Sequence, residues 1–246
     1  MQIDLIKSDK CAKLPSSCSF KSTGRCVFNR DKQIICNYTK FFRDDLNWKN
    51  FVKLLSDKYK NVKNVNILNL ACSDGSEPLS LMSILIHRLG SEADKFFPIK
   101  ASDADPRIIS DAMSGIYNIN GDDLFRINMT LGHYSDYFSM TDSSKLSFPY
   151  ALKILPKYSE NVIFNQMDMV DAIEFLEPQN NVIMCRNALP YLKDNKDETF
   201  IDKLAEKVDS TSLLVIGAYD NGHNIPNLVR SRGFKPYELE NVYCKY

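Results

Sequence analysis

Several polar residues stand directly after apolar runs of this 246-residue chain, where ligand chemistry could be concentrated. The apolar run 65–72 ends in the polar turn 73–78, and the run 182–185 ends in Arg186 and Asn187. Ligands of open α/β sheets bind beside the carboxyl ends of the strands. We therefore expect these polar residues to line one ligand site, with the apolar runs as strands of one sheet.

The turn 73–78 indicates which kind of ligand this site would bind. It contains one glycine, Gly75, and lacks the G-x-G-x-x-G pattern with which dinucleotide-binding turns approach a pyrophosphate. Glycine tolerates backbone conformations that other residues resist, so Gly75 suits a tight turn. Pro78 suits the first turn of a following helix, where its missing N–H group costs nothing. A nucleoside-like cofactor without phosphates is therefore favoured.

Three aspartates follow the next predicted strands. Asp103 ends a short strand, and an acidic residue at the end of the second strand commonly accepts hydrogen bonds from ribose hydroxyls. Asp105 precedes Pro106, which is the pattern of a helix N-cap followed by proline at the first helical position. Asp168 follows a later strand, and two interpretations stay open: an acceptor for an adenine amino group, or a solvated loop carboxylate or helix cap.

A further polar group, formed by Asn37, Thr39 and Arg43, precedes the first strand of the sheet. The segment 36–60 has phenylalanines and leucines close to helical spacing, which predicts an amphipathic helix that buries them. The planar guanidinium of Arg43 suits a carboxylate partner, and an ordinary surface ion pair is the equally favoured alternative.

The elements that would position these residues alternate between strand and helix along about 180 residues, which predicts a doubly wound, mostly parallel α/β sheet. The further predicted elements are helices at 106–114 and 194–208, a buried strand at 212–218 and a strand pair at 234–246. Residues 118–160 read as a small insertion on this core. Residues 1–36 predict an N-terminal arm that is either irregular or forms a short helix or hairpin, and residues 37–246 predict the main domain.

Composition excludes several classes of protein. Lys+Arg and Asp+Glu both number 31, so the zero net charge argues against bulk attraction to nucleic acid or to a membrane surface. No apolar run approaches the ~20 residues that span a bilayer. The N-terminus also lacks the apolar core of a signal peptide. We expect a cytoplasmic protein without membrane insertion.

Seven cysteines raise the question of a metal site. Cys11, Cys18, Cys26 and Cys36 crowd the first segment, but they form no C-x-x-C pair and have no histidine nearby. Reduced structural thiols are therefore favoured over zinc ligands. The three histidines are scattered, so we expect no metal site.

Five motifs, in order and at similar spacing, resemble those of the CheR-type chemotaxis receptor methyltransferases, which use S-adenosylmethionine to methylate glutamate side chains of chemoreceptors. The motifs are NYTKFFRD at 37–44, ACSDGSEPLSL at 71–81, ASDAD at 101–105, SGIY at 114–117 and CRNALPYL at 185–192. Family members usually carry a helical domain before the first motif, where this chain has residues 1–36.

The resemblance implies a Rossmann-like class I methyltransferase fold, with S-adenosylmethionine as cofactor and S-adenosylhomocysteine as product. The cofactor-binding residues that it implies are Asn37, Thr39, Arg43, Ala71, Glu77, Asp103, Asp168, Met169, Arg186 and Asn187. The first three would hold the amino-acid end of the cofactor. Glu77 would be an acidic contact in the first turn, Asp103 the ribose carboxylate, and the pair Asp168-Met169 the adenine contact.

The resemblance also implies two catalytic residues, Arg43 beside the reacting centre and Tyr191 near the site of methyl transfer. A substrate glutamate is already ionised at neutral pH, so no strong general base is required. The enzyme mainly has to orient the carboxylate, a task in which Arg43 and Tyr191 could take part.

The function implied is methyl transfer to a glutamate carboxylate of a protein, such as a chemoreceptor-like or another signalling protein. One alternative is a methyltransferase that acts on a different protein site or on a small molecule. The other is a non-catalytic scaffold that binds S-adenosylmethionine. A dehydrogenase is disfavoured, because the glycine-rich turn is absent.

Overall fold

A mostly parallel sheet of seven strands lies at the centre of the protein. The structure, a computed structural model, describes residues 26–28, 34–36, 39–143, 148–192 and 194–246. The strands in this part of the chain are β1 (Cys26–Phe28), β2 (Ile34–Cys36), β3 (Asn66–Leu70), β4 (Ile99–Asp103), β5 (Ile116–Ile119), β6 (Phe138–Thr141), β7 (Tyr150–Ile154), β8 (Val162–Gln166), β9 (Asn181–Met184), β10 (Leu213–Val215), β11 (Phe234–Tyr237) and β12 (Leu239–Lys245). The α-helices are α1 (Trp48–Lys58), α2 (Ser76–Leu89), α3 (Pro106–Met113), α4 (Gly121–Leu131), α5 (Met169–Ala172), α6 (Lys196–Lys207), α7 (Ala218–Asn221) and α8 (Ile225–Ser231).

The seven strands lie in the order β11-β12-β10-β9-β3-β4-β8. The pairs from β10 to β8 are parallel, whereas β12 is antiparallel to both β10 and β11. The predicted mostly parallel sheet and the predicted strand pair at 234–246 are therefore confirmed. All five parallel strands present their carboxyl ends to one edge, where the candidate site residues follow.

Side chains that alternate along the strands supply two separate cores, one on each face of the sheet. Ile67 and Val182 pack on the face that α1 and α2 cover. The next residues along the same strands, Leu68 and Ile183, pack on the other face with α5, α6 and α8. The sheet is therefore doubly wound, as predicted.

The first helix begins later than its residue spacing predicts. Phe41 and Phe42 are buried, as expected, but they lie in a loop at 39–47 that precedes α1. The backbone of Phe42 is left-handed, with φ 46°, which interrupts a helix at this point. The side chain of Asn47 then accepts a hydrogen bond from the N–H of Asn50 (3.1 Å) and caps α1. The loop is therefore available to reach the sheet edge.

The insertion predicted at 118–160 contains α4 and most of a small antiparallel sheet with the order β5-β7-β6. Helix α4 begins with a capping box, in which Asn120 and Asp123 satisfy each other's backbone N–H groups. This part packs on the α2 face of the main sheet.

In the N-terminal segment, β1 and β2 pair antiparallel, which agrees with the hairpin alternative for the predicted arm. Asn37, Cys11 and Cys18, like the side chains of Cys26 and Cys36, lie outside the described residues. The division at residue 37 into an arm and a main domain stays a prediction.

The described ranges contain no helix that is long and apolar enough to cross a membrane. Within the same ranges, no group of three or more histidine, cysteine, aspartate or glutamate side chains is placed to hold a metal ion.

Candidate functional site

The carboxyl ends of five neighbouring parallel strands bring the site residues into a row. In the order β10-β9-β3-β4-β8, the polar residues at or just after these ends are Asp220, Arg186 with Asn187, Glu77, Asp103 and Asp168. Neighbouring strands are about 4.8 Å apart, so the row from β9 to β8 extends over roughly 14 Å. The site is therefore an elongated edge, suited to an extended ligand.

The turn between β3 and α2 has an unusual backbone. Ala71 and Ser73 have left-handed φ values of 53° and 52°, and Gly75 follows with φ 88°. A Cβ atom on Gly75 would lie 2.8 Å from the ring of Phe164, so only glycine fits this position. Left-handed non-glycine residues cost on the order of 1–3 kcal/mol each and cluster at ligand-binding sites.

Asp103 lies at the end of β4, as predicted, and is almost fully buried. Its Oδ2 accepts a hydrogen bond from the N–H of Ser73 (2.9 Å), and its Oδ1 accepts one from the N–H of Asp105 (3.0 Å). Burial raises the pKa of the Asp103 carboxyl, against the effect of these N–H groups. Each carboxylate oxygen keeps a second lone pair, so the group can still accept bonds from hydroxyls.

Two other aspartates act as helix caps. Asp105 accepts a hydrogen bond from the N–H of Arg107 (3.0 Å) at the start of α3, which confirms its predicted role. Asp168 caps α5 with one oxygen, and its other oxygen lies 3.4 Å from Nζ of Lys196. The capping alternative for Asp168 is thus confirmed, and its contact with adenine stays a prediction, as does that of the buried Met169.

Arg186 is the centre of a buried charged cluster at the ends of β9 and β3. Its guanidinium is inaccessible to solvent, donates to Glu77 Oε2 (2.6 Å) and donates to Asp45 Oδ1. Its Cζ lies 5.4 Å from the centre of the Trp48 ring. Asn69 Nδ2 donates to the second oxygen of Glu77 (3.0 Å). Both residues predicted to face the cofactor, Arg186 and Glu77, therefore also hold each other.

Asp45 connects the 39–47 loop to this cluster. Besides Arg186, its carboxylate accepts hydrogen bonds from Asn187 Nδ2 (2.9 Å) and from the N–H of Ala218 (3.3 Å). Nε of Arg43 lies 3.9 Å from Asp45 Oδ1. Burial alone would raise the pKa of Asp45, but Arg186, Asn187 and Arg43 together hold this pKa below its ordinary value. Asp45 is therefore ionised throughout the neutral range.

The backbone N–H group and both polar side-chain atoms of Asn187 make hydrogen bonds. Its backbone is left-handed (φ 58°), and its N–H donates to Asp220 Oδ2 (2.8 Å). Its side-chain Oδ1 accepts from the N–H of Tyr219 (2.7 Å). A Cβ atom on Gly217 would lie 2.3 Å from the Asn187 side chain, so Gly217 lets the two strand ends approach.

Asp220 is a fully buried carboxyl group behind Asn187. Its Oδ2 accepts from the N–H groups of Gly217 (2.6 Å) and Asn187 (2.8 Å). Its Oδ1 is buried and has no hydrogen-bond partner among the described residues. Burial raises the pKa of Asp220 to about 6, and the two N–H groups and Arg186 oppose this rise only in part.

The two predicted catalytic residues contact different members of the site. Arg43 is half-buried, and its carbonyl oxygen accepts from Trp48 Nε1 (3.0 Å). Because Asp45 also binds Arg186 and Asn187, the contact between Arg43 and Asp45 lies at the sheet edge and is not an ordinary surface ion pair. Tyr191 is exposed and stacks on Tyr219, with ring centres 5.5 Å apart and planes at 15°. Thr39 is half-buried at the start of the loop.

Sequence reasoning missed Asp45 and Asp220 as members of the site. Asp220 had a usable signal, because it stands shortly after a buried apolar run, as Asp168 does. The signal for Asp45 was weaker. It stands two residues after Arg43 and next to Asp44, and nothing in the spacing distinguishes these two aspartates.

Comparison with known protein families adds to this geometry. The family model described as "CheR methyltransferase, SAM binding domain" matches residues 37–235, which is most of the chain. The chain belongs to this family. The predicted family, its S-adenosylmethionine-binding domain and the Rossmann-like fold are thereby confirmed, and the match begins where the predicted main domain begins.

Relatives named as chemotaxis protein methyltransferases support the CheR assignment. The protein from Listeria monocytogenes is 26% identical over 189 residues, which are 75% of this chain and 65% of that protein. Chemotaxis protein methyltransferase 2 from Pseudomonas aeruginosa is 24% identical and is covered to 69%, over 82% of this chain. Its namesake from Vibrio cholerae is 22% identical and is covered to 73%, over 88% of this chain. The chain thus spans slightly less than two thirds of the Listeria relative.

Among solved structures, magnesium protoporphyrin IX methyltransferase from Synechocystis PCC 6803 with bound SAM is similar with a TM-score of 0.41 and 12% identity, covering 80% of this chain and 74% of that one. The CheR assignment depends on the sequence matches and not on this weaker structural likeness.

Proposed function

We propose that this CheR-family protein transfers a methyl group from S-adenosylmethionine to a glutamate side chain of a protein. One observation carries the proposal, namely the order of the site residues along the sheet edge. The loop with Thr39 and Arg43 joins the ends of β9 and β10 through Asp45, Asp103 lies at β4, and Asp168 follows β8. This is the order amino-acid end, ribose and adenine, which is the order of the groups in the cofactor.

The chemical character of each position supports the placement. Asp103 offers spare acceptor capacity for ribose hydroxyls, and the strained turn of Ala71 to Gly75 lets backbone come close to a ligand. Glu77 and Arg43 supply opposite charges for an amino group and a carboxylate. S-adenosylmethionine supplies a methyl group on a positively charged sulfur, which is an activated methyl donor.

The chain's own residues would then bind and orient the acceptor. An acceptor glutamate is ionised near neutral pH, so the site needs no group to remove a proton. Arg43 and the exposed Tyr191 would direct the carboxylate, Arg43 by charge and Tyr191 through its hydroxyl group. Correct orientation of two reactants can lower a barrier by several kcal/mol, on the order of 7–11 in the best cases.

The names of the relatives support a protein as the acceptor, because each is a chemotaxis protein methyltransferase. A chemoreceptor-like or other signalling protein is therefore the substrate that we propose. A cytoplasmic location and the absence of a nucleic-acid partner stay predictions of the sequence.

Transfer of a labelled methyl group to proteins of a cell lysate tests this proposal. We expect label on protein that mild base releases as methanol, the sign of a carboxyl ester. Wild-type protein is compared with Arg43→Ala and with Arg232→Ala, a partly exposed arginine that pairs with Asp202 in α6, outside the site. Base-stable label would contradict the glutamate assignment and favour another acceptor. Calorimetric binding of S-adenosylmethionine without any transfer would favour the scaffold alternative.

A further inference from the structure

We propose that Asp45 is a positioning residue, which holds the 39–47 loop against the ends of β9 and β10 and so aligns Arg43 with the amino-acid end of the cofactor. This inference rests on the cofactor placement proposed above. It assigns a role to a residue that neither the motifs nor the family match singles out.

The contacts of Asp45 come from three separate parts of the chain. Its carboxylate lies in the loop, accepts from Arg186 and Asn187 after β9, and accepts from the N–H of Ala218 at the start of α7. Arg43, two residues earlier in the loop, lies 3.9 Å away. A carboxylate can accept about four hydrogen bonds, so Asp45 is close to saturated. Such a group fixes the distance between the segments that it joins.

The other recorded links of the loop hold it elsewhere. The N–H of Phe42 donates to Ser80 Oγ (2.9 Å) in α2, and Trp48 Nε1 donates to the carbonyl oxygen of Arg43 (3.0 Å). These links anchor the loop to the helices, and Asp45 adds the hydrogen bonds that join it to the ends of β9 and β10. Without the Asp45 carboxylate, we expect the loop to stay folded and Arg43 to lose its fixed position.

The neighbouring Asp44 provides a matched control. Its side chain is 72% exposed, against 15% for Asp45, and it pairs with Lys40, four residues earlier in the same loop (2.9 Å). Surface pairs of this kind contribute little to stability. Asp44→Asn and Asp45→Asn therefore remove the same charge from adjacent residues, and only the second change reaches the sheet edge.

The placement gives a signature that general damage would not produce. Asp103 and Asp168 lie at β4 and β8, away from Asp45, so the nucleoside part of the site should be unaffected by its loss. S-adenosylhomocysteine carries the amino-acid end, whereas 5′-methylthioadenosine lacks it. Loss of Asp45 should weaken the first ligand selectively.

Calorimetric titration of both ligands into wild-type, Asp45→Asn and Asp44→Asn protein tests the inference. We expect Asp45→Asn to weaken binding of S-adenosylhomocysteine about tenfold, which corresponds to about 1.4 kcal/mol of binding free energy. Affinity for 5′-methylthioadenosine should stay within twofold, and Asp44→Asn should leave both affinities unchanged. Equal weakening of both ligands, or no weakening, would overturn the positioning role.

Two further measurements keep the outcome decisive. Asp45→Glu retains the charge with one more methylene group, so it replaces Asp45→Asn if that variant fails to fold, and it should show the same selective loss. Combining Asp45→Asn with Arg43→Lys should weaken S-adenosylhomocysteine no further than Arg43→Lys alone, whereas additive losses would contradict action through Arg43. Wild-type protein that binds both ligands equally would instead refute the proposed cofactor placement.

Discussion

The two halves of the sheet edge hold their polar residues in different ways. At the ends of β9 and β3, charged side chains from distant segments hold one another: Arg186 with Glu77 and Asp45, and Asp45 with Asn187. At the ends of β4 and β8, Asp103 and Asp168 are held mainly by backbone N–H groups of nearby residues.

This difference indicates a division of tasks along the edge. A carboxylate held by backbone N–H groups keeps lone pairs for hydroxyl or amine donors. A buried guanidinium between two carboxylates compensates both charges, so its removal leaves two carboxylates without their partner. The β9–β3 half should therefore respond to loss of Arg186 with loss of stability, and the β4–β8 half should respond to substitution mainly with loss of ligand affinity.

The largest effect is expected at Arg186. Arg186→Ala leaves Glu77 and Asp45 without their buried partner, so we expect a loss of about 3–5 kcal/mol in the free energy of unfolding. Urea unfolding followed by circular dichroism measures it. Arg232→Ala is the control, because the ion pair of Arg232 with Asp202 is partly exposed. The urea concentration at the midpoint of unfolding should hardly change in this variant. Equal shifts for the two variants would contradict the anchoring role of Arg186.

The second effect concerns pH. The pKa of Asp220 is raised from 3.8 to about 6 by burial, so between these pH values the folded protein keeps a proton that the unfolded chain has already released. Its contribution to stability is greatest below pH 4 and falls as the pH rises to 6, by on the order of 3 kcal/mol, at about 1.4 kcal/mol per pKa unit.

Asp220→Asn removes this titration and keeps an oxygen acceptor for the N–H groups of Gly217 and Asn187. Urea unfolding of both proteins should be measured from pH 4 to pH 7. As the pH rises, the free energy of unfolding of the wild type should fall relative to that of the variant, and the difference should level off above pH 6. A difference that stays constant across this window would show that Asp220 titrates normally.

The third test addresses the close approach of the strand ends. Gly217→Ala would place a Cβ atom 2.3 Å from the Asn187 side chain, which we expect to cost about 2 kcal/mol, in the range of overpacked sites. Gly222→Ala is the matched control in the same segment, because its nearest neighbour would be 3.6 Å away. Thermal unfolding of both variants checks the difference, and equal melting temperatures would refute the contact.

The fourth test moves to the β4–β8 half. Asp103→Ala should weaken S-adenosylhomocysteine and 5′-methylthioadenosine alike, by about 1.5 kcal/mol or more, because both ligands carry the ribose whose hydroxyls would lose a charged acceptor. Calorimetry measures both affinities, with the exposed Asp122→Ala as control. Unchanged affinity for either ligand would refute the ribose assignment and remove the contrast between the two halves.

The parts of the site that local sequence determines could be predicted. Gly75 in its turn, Asp103 at a strand end and Asp105 as a helix cap each belong to a short sequence pattern that is visible without the fold. The doubly wound sheet followed in the same way from the alternation of strands and helices.

The charged cluster could not be predicted, because its members meet only after folding. Asp45 and Arg186 are separated by 141 positions, and no spacing rule relates them. The start of α1 was missed for a related reason. The phenylalanines at 41 and 42 are buried by tertiary packing of a loop, and over so short a segment their spacing cannot be distinguished from that of a helix.

The structure of the complex with S-adenosylhomocysteine tests the central claim most directly. We expect the ribose hydroxyls to lie against Asp103, the adenine to lie towards Asp168, and the amino-acid end to lie between Glu77 and the loop that carries Arg43. A ligand bound in the reverse direction along the edge, or away from the ends of β9, β3 and β4, would contradict that claim.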